Sequence, residues 1–267
     1  MNRKSTTFTD QMGRQITVEW PPRRIISLVP SQTELLYTLE LEEQVVGLTK
    51  FCLYPEHWRK QKKVIGGTKT PQLDRIKALQ PDLIIGNKEE NEQESIEVLA
   101  REFPVWMSDI YNLEDALQMM RMLGGLTNRN EEAEKLVATI VKAFAGLPLA
   151  SPVSVLYLIW QNPWMGVGNT TFVHNMLELC GFRNVLEDSA RYPRLSDEAL
   201  QQLNPEVVLL SSEPYPFKEK HMAALQELLP KSKLLLVDGE MFSWYGSRLL
   251  QAPQYFREVQ ERIVVRE

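Results

Sequence analysis

The chain has 267 residues, is 43% hydrophobic and 24% charged, and carries a formal net charge of -5. This length favours two compact lobes over a single core. No apolar run approaches the roughly 20 residues that a membrane-spanning helix requires. Acidic and basic residues are interspersed, whereas a nucleic-acid-binding surface needs clustered lysine and arginine. The composition therefore predicts a small-molecule or protein partner and no nucleic acid.

The beginning of the chain predicts a hairpin followed by alternating strands and helices. Phe8, Ile16 and Val18 flank a turn-prone segment at 11–13. Short β-branched runs then alternate with helical patterns, which is typical of βαβ units and a parallel sheet. Pro30, followed by Ser31 and Glu34, predicts a helix that opens with a capping box. The predicted strands are 24–29, 45–48, 82–86 and 105–108, and the predicted helices are 33–39, 73–79, 92–102 and 113–123.

The second half repeats this alternation after an isolated amphipathic helix. Residues 130–144 carry apolar side chains at helical spacing, with no strand beside them, so we predict that this helix bridges the lobes. The predicted domains are 1–127, a bridging helix at 128–149, and 150–267. The later strands are predicted at 153–160, 207–211 and 234–238, and the later helices at 171–179, 196–203, 220–228 and 248–263.

A segment of the first half recurs in the second. Residues 74–85 align without gaps with residues 198–209, and both copies read acid, helix, proline, acid, strand. The proline ends each helix, and an apolar run typical of a buried strand follows. The fold class is therefore predicted as α/β, with two Rossmann-like lobes that have mostly parallel central sheets.

The loops after the strands are the predicted ligand-binding region. Open parallel sheets bind ligands beyond the carboxyl ends of their strands, and two facing lobes would share one cleft. These loops are rich in aromatic and cationic side chains, which suit a large, partly apolar ligand that carries amides or acids. The alternative is that each ring fills a lobe core, and that Arg248 is a solvated first-turn cation. The candidate ligand-binding residues are Lys50, Phe51, Trp160, Trp164, Phe242, Trp244, Tyr245 and Arg248.

Asp74 and Glu198 occupy the first turns of the two repeated helices. The helix dipole stabilises a carboxylate there by about 0.3–1 kcal/mol, which by itself could explain both acids. The functional interpretation is that one exposed acid on each lobe binds arginines of a membrane partner and orients docking.

Signals for catalysis or metal binding are weak. No nucleophile elbow, phosphate-binding loop or HExxH helix occurs, so we predict no catalytic residues and no enzyme activity. His57, His174 and His221 fall in separate segments, and Cys52 and Cys180 lie outside metal-ligand spacings. We predict no metal site and no cofactor, and we expect both cysteines to be buried thiols.

Five stretches together resemble the class III substrate-binding proteins, the helical-backbone metal receptor group that includes vitamin B12 and ferric-siderophore binders. The resemblance covers nearly the whole chain, and no single stretch is specific for one ligand. Where B12 binders of this group have an aromatic residue, this chain has Asn87 and Lys88. The matching stretches are 24–36, 46–51, 74–85, 176–181 and 196–210.

The resemblance implies the function. We expect a monomer that captures a metal chelate (cobalamin, ferric siderophore or haem) between two lobes joined by a rigid helix. It would deliver this cargo to the permease dimer of an ABC importer through acids matching Asp74 and Glu198. The resemblance also implies that residues matching Phe51, Trp160, Trp164, Phe242 and Arg248 line the pocket.

The location stays open at this point. The resemblance implies a periplasmic or cell-surface protein. Residues 1–10 lack an apolar signal segment, so either a leader was removed or the protein stays inside the cell. The alternative function is therefore a cytoplasmic chelate-binding or sensing protein with the same fold.

Overall fold

The computed structural model describes residues 4–147 and 153–264. These residues divide into two compact units. The first comprises the described residues within 1–110, 114–139 and 245–248, and the second those within 111–113, 140–244 and 249–267. The division falls inside the helix Asn130–Ala145. The predicted domain bounds of 1–127, 128–149 and 150–267 stay a prediction.

The first unit contains a hairpin and a five-stranded parallel sheet in the order β5-β4-β3-β6-β7. All residues of β3 and β6 are buried, as expected for central strands covered on both faces. The elements in chain order are β1 (Lys4–Thr9), β2 (Gln15–Trp20), β3 (Ile25–Ser27), α1 (Pro30–Thr38), β4 (Val45–Leu48), α2 (Glu56–Gln61), β5 (Lys63–Val64), α3 (Leu73–Leu79), β6 (Leu83–Asn87), α4 (Gln93–Ala100), β7 (Val105–Ser108) and α5 (Leu113–Thr127), followed by α6 (Asn130–Ala145).

The second unit contains a mixed six-stranded sheet in the order β11-β9-β8-β12-β13, with β10 also paired to β8. Strands β10, β8, β12 and β13 pair in parallel, whereas β9 and β11 are antiparallel additions. The elements are β8 (Val153–Trp160), β9 (Trp164–Gly166), α7 (Phe172–Leu179), β10 (Phe182–Asn184), β11 (Arg194–Leu195), α8 (Asp197–Leu203), β12 (Val207–Ser211), α9 (Glu219–Leu228), β13 (Lys233–Val237), α10 (Glu240–Ser243) and α11 (Ala252–Val264). The 3-10 turn Ser247–Leu250 precedes α11, and its first two residues belong to the first unit.

The predicted α/β class is confirmed in each unit, and so is the hairpin at the start of the chain. The predicted bridging segment is a helix, α6. Two local predictions are wrong. Helix α1 begins at Pro30 with Val29 as its N-cap, so Ser31 and Glu34 do not form a capping box. Residues 164–166 form strand β9 instead of a loop, because the chain reverses at 161–163, where Asn162 adopts a positive φ of 61°.

The repeated segments occupy equivalent positions in the two sheets. Helices α3 and α8, and strands β6 and β12, are offset by the same 124 positions that separate Asp74 from Glu198. Each helix ends at a left-handed residue, Gln80 or Asn204, and the next residue is a proline. The repeat read from the sequence is therefore a structural repeat.

Candidate functional site

The loop that follows β4 presents aromatic rings to solvent. Phe51 is 53% exposed, and Tyr54 is also exposed. The loop is anchored by Cys52, whose buried thiol lies 3.0 Å from the Thr33 hydroxyl. Burial raises the pKa of this thiol. Lys50 lies beside the ring of Phe51, with its Nζ 4.9 Å from the ring centroid, so the tip of the loop combines an exposed ring with a cation.

Segment 245–248 of the C-terminal half belongs to the first unit. Its Tyr245 hydroxyl donates a hydrogen bond to the carboxylate of Glu90. Burial, followed by the negative charge of Glu90, raises the pKa of Tyr245 well above its usual value. At Gly246 an added Cβ would lie 2.7 Å from the Ser31 carbonyl oxygen, so only glycine allows this close approach.

Arg248 forms a two-point ion pair in the first unit. Its Nε and Nη2 donate to the two carboxylate oxygens of Glu34 at 3.1 and 3.0 Å. The ring of Tyr54 lies 4.7 Å from the guanidinium carbon. Arg248 lies in the 3-10 turn Ser247–Leu250, so the expectation that it opens the final helix is wrong. Both carboxylate oxygens face the guanidinium edge, which is the strong geometry for such pairs.

Glu90 and its neighbours are held by a buried amide network at the carboxyl ends of β6 and β7. The Asn87 side chain accepts hydrogen bonds from the backbone N–H groups of Glu89 and Glu90 and donates one to Ser108 Oγ at 3.0 Å. The Asn91 side chain accepts one from the backbone N–H of Asn87. Asn87 therefore fixes the backbone of the loop that carries Glu90.

In the second unit, Trp160 is the candidate ring that remains accessible. It stands at the end of β8 and is 40% exposed, and its ring meets that of Tyr215 edge to face at 5.5 Å. Tyr215 in turn donates its hydroxyl hydrogen bond to Gln161 at 3.1 Å. The carboxyl end of the long central strand thus presents an aromatic pair.

Two other candidate rings of the second unit pack inside it. Trp164 is 9% exposed, belongs to the core cluster of the unit, and stacks on Phe217 with an angle of 6° between the ring planes. Its indole N–H donates to Asp197 at 2.9 Å. Phe242 is 0% exposed and packs against the rings of Tyr157 and Phe256. Both rings fill the core, the role that the sequence left open as their alternative, so we leave them out of the proposed ligand surface.

Trp244 is also buried, and it is held by an acid that the sequence analysis did not single out. Its indole N–H donates to Glu213 Oε1 at 3.2 Å, and the Ser243 hydroxyl donates to the same oxygen. Glu34, Glu90 and Glu213 were all missed as site residues. Nothing in the local sequence distinguishes these carboxylates from solvated ones, because their partners lie far along the chain.

The two predicted docking acids are exposed in the first turns of α3 and α8. Across residues 4–147 and 153–264, the Asp74 side chain has no hydrogen bond or ion pair. Glu198 follows the N-cap Ser196, and a hydrogen bond from the Ser196 side chain, then one from its own backbone, lowers the pKa of Glu198. Both carboxylates are accessible to a partner.

Neither a cluster of metal ligands nor a membrane-spanning helix is present in the described part of the chain. Within it, no group of three or more His, Cys, Asp or Glu side chains could hold a metal ion. The described helices also include none with the length and apolar character needed to cross a membrane. Cys52 and Cys180 are free and buried, as predicted.

A family model described as periplasmic binding protein matches residues 25–231. The chain belongs to this family of periplasmic binding proteins, as its resemblance predicted. The vitamin B12-binding protein of Pectobacterium carotovorum subsp. carotovorum (strain PC1) is 27% identical over 244 residues, covering 87% of this chain and 86% of that protein.

Solved structures share the fold at lower identity. The periplasmic heme-binding protein RhuT from Roseiflexus sp. RS-1 has a TM-score of 0.77 at 21% identity, covering 90% of this chain and 97% of that one. The ABC-type Fe3+-hydroxamate transport system structure from Saccharomonospora viridis DSM 43017 has a TM-score of 0.75 at 20% identity, covering 96% and 99%. At these identities the comparison establishes the fold alone.

Proposed function

We propose that this protein captures a metal chelate and delivers it to the permease of an ABC importer. The family assignment and the B12-binding relative, which matches 87% of the chain, support this function. The names of the structural neighbours extend the class of cargo to haem and ferric hydroxamates. Such proteins bind and release their cargo without chemically changing it, which agrees with the lack of a catalytic motif in the sequence.

One observation carries the proposal. A large aromatic ring remains exposed at the carboxyl end of a sheet strand in each unit, Phe51 after β4 and Trp160 at the end of β8. Exposed rings at this edge of a parallel sheet favour a ligand with a flat or apolar face, because the ligand removes them from water.

A binding screen tests the proposal. We expect one of cyanocobalamin, haem or a ferric hydroxamate to raise the melting temperature, since a ligand at 100 times its Kd stabilises the folded state by about 2.7 kcal/mol. Calorimetric titration should then show that Phe51→Ala and Trp160→Ala each weaken binding about tenfold. Tyr37→Ala removes a ring of similar exposure from the last turn of α1 and should leave the affinity unchanged. Failure of all three ligand classes to bind would remove the proposed function.

We further propose that Asp74 and Glu198 dock onto basic residues of the permease. Their exposure, their equivalent positions and the absence of a basic partner for Asp74 within the described residues support this role. Charge complementarity of this kind sets the orientation and rate of association more than its strength.

Charge reversal tests the docking proposal in the presence of the native transporter. Asp74→Arg combined with Glu198→Arg should reduce ligand uptake more than about tenfold and leave ligand affinity unchanged. Glu94→Arg combined with Glu219→Arg is a matched control, because these exposed acids also occupy first helical turns, one in each unit. Normal uptake by the first double variant, or an equal loss in the control, would rule out specific docking.

The proposed location is outside the cytoplasm. The family name and the names of the relatives and structural neighbours, several of them periplasmic, support this location. Fractionation of the native organism, followed by immunodetection, tests it. Recovery of the protein in the cytosolic fraction alone would instead favour an intracellular chelate sensor.

A further inference from the structure

Arg248 is the cation best placed to attract an anionic ligand, but an acid of the first unit, Glu34, already compensates its charge. Arg248 donates two hydrogen bonds to Glu34, and the two side chains are only 9% and 17% exposed. The Tyr54 ring covers a face of the guanidinium group. A two-point pair with this little solvent around it cancels most of the positive field of Arg248 at the loop surface.

The other charges near the strand ends of the first unit do not restore a positive surface. Lys88 is paired with Asp109 at 2.6 Å, while Glu90 accepts the Tyr245 hydroxyl. Lys50 lies over the Phe51 ring. In the loops after β4, β6 and β7, together with Glu34 and segment 245–248, the acids are Glu34, Glu89, Glu90, Glu92 and Asp109, and the bases are Lys50, Lys88 and Arg248.

The strand ends of the second unit also carry more acids than bases. Residues 161–163, after β8, are uncharged. Residues 212–218, between β12 and α9, contain Glu213 and Lys218, and residues 238–239, between β13 and α10, contain Asp238 and no basic residue. These loops therefore add no net positive charge at the strand ends of the second unit.

We infer that Glu34 is a specificity-determining residue that makes this protein select neutral or cationic chelates over anionic ones. The inference rests on the proposed function and narrows its cargo. A protein discriminates between ligands by an unfavourable contact with the wrong one as much as by a favourable contact with the right one. Glu34 acts by withdrawing a favourable contact from the anionic ligand, because it removes the charge compensation that Arg248 would give to a ligand carboxylate, catecholate or propionate.

The test compares pairs of chelates that share a metal but differ in charge. The pairs are a neutral ferric trishydroxamate against a ferric triscatecholate trianion, cyanocobalamin against its monocarboxylate, and haem dimethyl ester against haem. For whichever pair binds, the wild-type protein should favour the less anionic member by at least about tenfold. A preference for the anionic member would overturn the inference.

Variants then assign the preference to Glu34. Glu34→Gln keeps the shape of the side chain and exposes the charge of Arg248, so the preference should shrink at least about tenfold. Glu43→Gln, an exposed acid at the opposite end of β4, is the matched control and should leave the preference unchanged. An unchanged preference in a folded Glu34→Gln protein would show that the pair has only a structural role.

Two more variants keep the test decisive if Glu34→Gln does not fold. Arg248→Gln leaves Glu34 unbalanced and should increase the preference for the less anionic chelate. Glu34→Gln combined with Arg248→Gln removes both charges and should return the preference to near the wild-type value. If no chelate of any pair binds, the proposed function itself fails, whereas binding with the opposite preference overturns only the role of Glu34.

Discussion

The two units share a helix-strand segment but differ in the loops at their strand ends. In the shared segment, the acid after each proline secures the start of the neighbouring strand. Asp82 accepts the backbone N–H groups of Arg23 and Arg24 ahead of β3, and Glu206 accepts the N–H and hydroxyl of Ser154 in β8. In each unit, an acid of the repeated segment therefore accepts backbone N–H groups at the start of the neighbouring strand.

Unlike the repeated segments, the loops at the strand ends differ between the two units. After β4, the first unit presents Phe51 to solvent, whereas after β8 the chain turns back at once into β9 and buries Trp164 in the core of the second unit. The second unit also buries Phe242. The comparison shows that the repeated segments contribute equivalent strands to the two sheets, while the strand-end loops differ in which aromatic rings they expose.

The largest effect expected from this comparison is on stability. Phe242→Ala should lower the free energy of unfolding by about 3–5 kcal/mol, because it leaves a cavity among Tyr157, Phe256 and their neighbours. Phe51→Ala removes an exposed ring and should change it by less than about 0.5 kcal/mol. Urea denaturation of both variants checks this difference. Equal losses would mean that the loop ring is structural as well.

A smaller effect on stability is expected at Asp82 and Glu206, the acids that follow the proline in each repeated segment. Asp82→Ala and Glu206→Ala should each lower the free energy of unfolding by about 1–1.5 kcal/mol, since each removes charge-assisted hydrogen bonds near the surface. Thermal denaturation checks both variants. A clear loss in one unit and none in the other would break the equivalence of the two segments.

The smallest effect on stability is expected at the N-caps of α3 and α8, where the two repeated segments differ. Ser196 caps α8 by accepting the backbone N–H of Ala199, whereas Gln72 gives α3 no side-chain cap. Ser196→Ala should lower the free energy of unfolding by about 0.5–1 kcal/mol. The same change should raise the pKa of Glu198 toward its usual value, because the main hydrogen bond that lowers it is lost.

The pH dependence of this effect has a definite sign. A carboxylate with a lowered folded-state pKa contributes stability above its unfolded pKa and loses that contribution as the pH falls through the folded value. The Glu198 part of the difference between wild type and Ser196→Ala should therefore disappear at low pH. A carboxyl NMR titration of Glu198 measures the shift directly. An unchanged pKa in the variant would contradict the assigned cause.

The sequence alone determined the α/β class, most of the helices and strands, and the repeat of residues 74–85 at 198–209. These features depend on short-range chemistry, because hydrophobic periodicity and the proline after each helix act within a few residues. The family resemblance followed from the same local stretches.

Tertiary structure decided which rings are accessible and which charges are balanced. Trp160 and Trp164 are near neighbours in sequence, yet a tight reversal exposes one and buries the other. Glu34 and Arg248 are separated by 214 residues, so no local pattern could pair them. Burial and ion pairing depend on neighbours brought together by the whole fold, and for that reason the ion pairing of the strand-end loops could be read only from the structure.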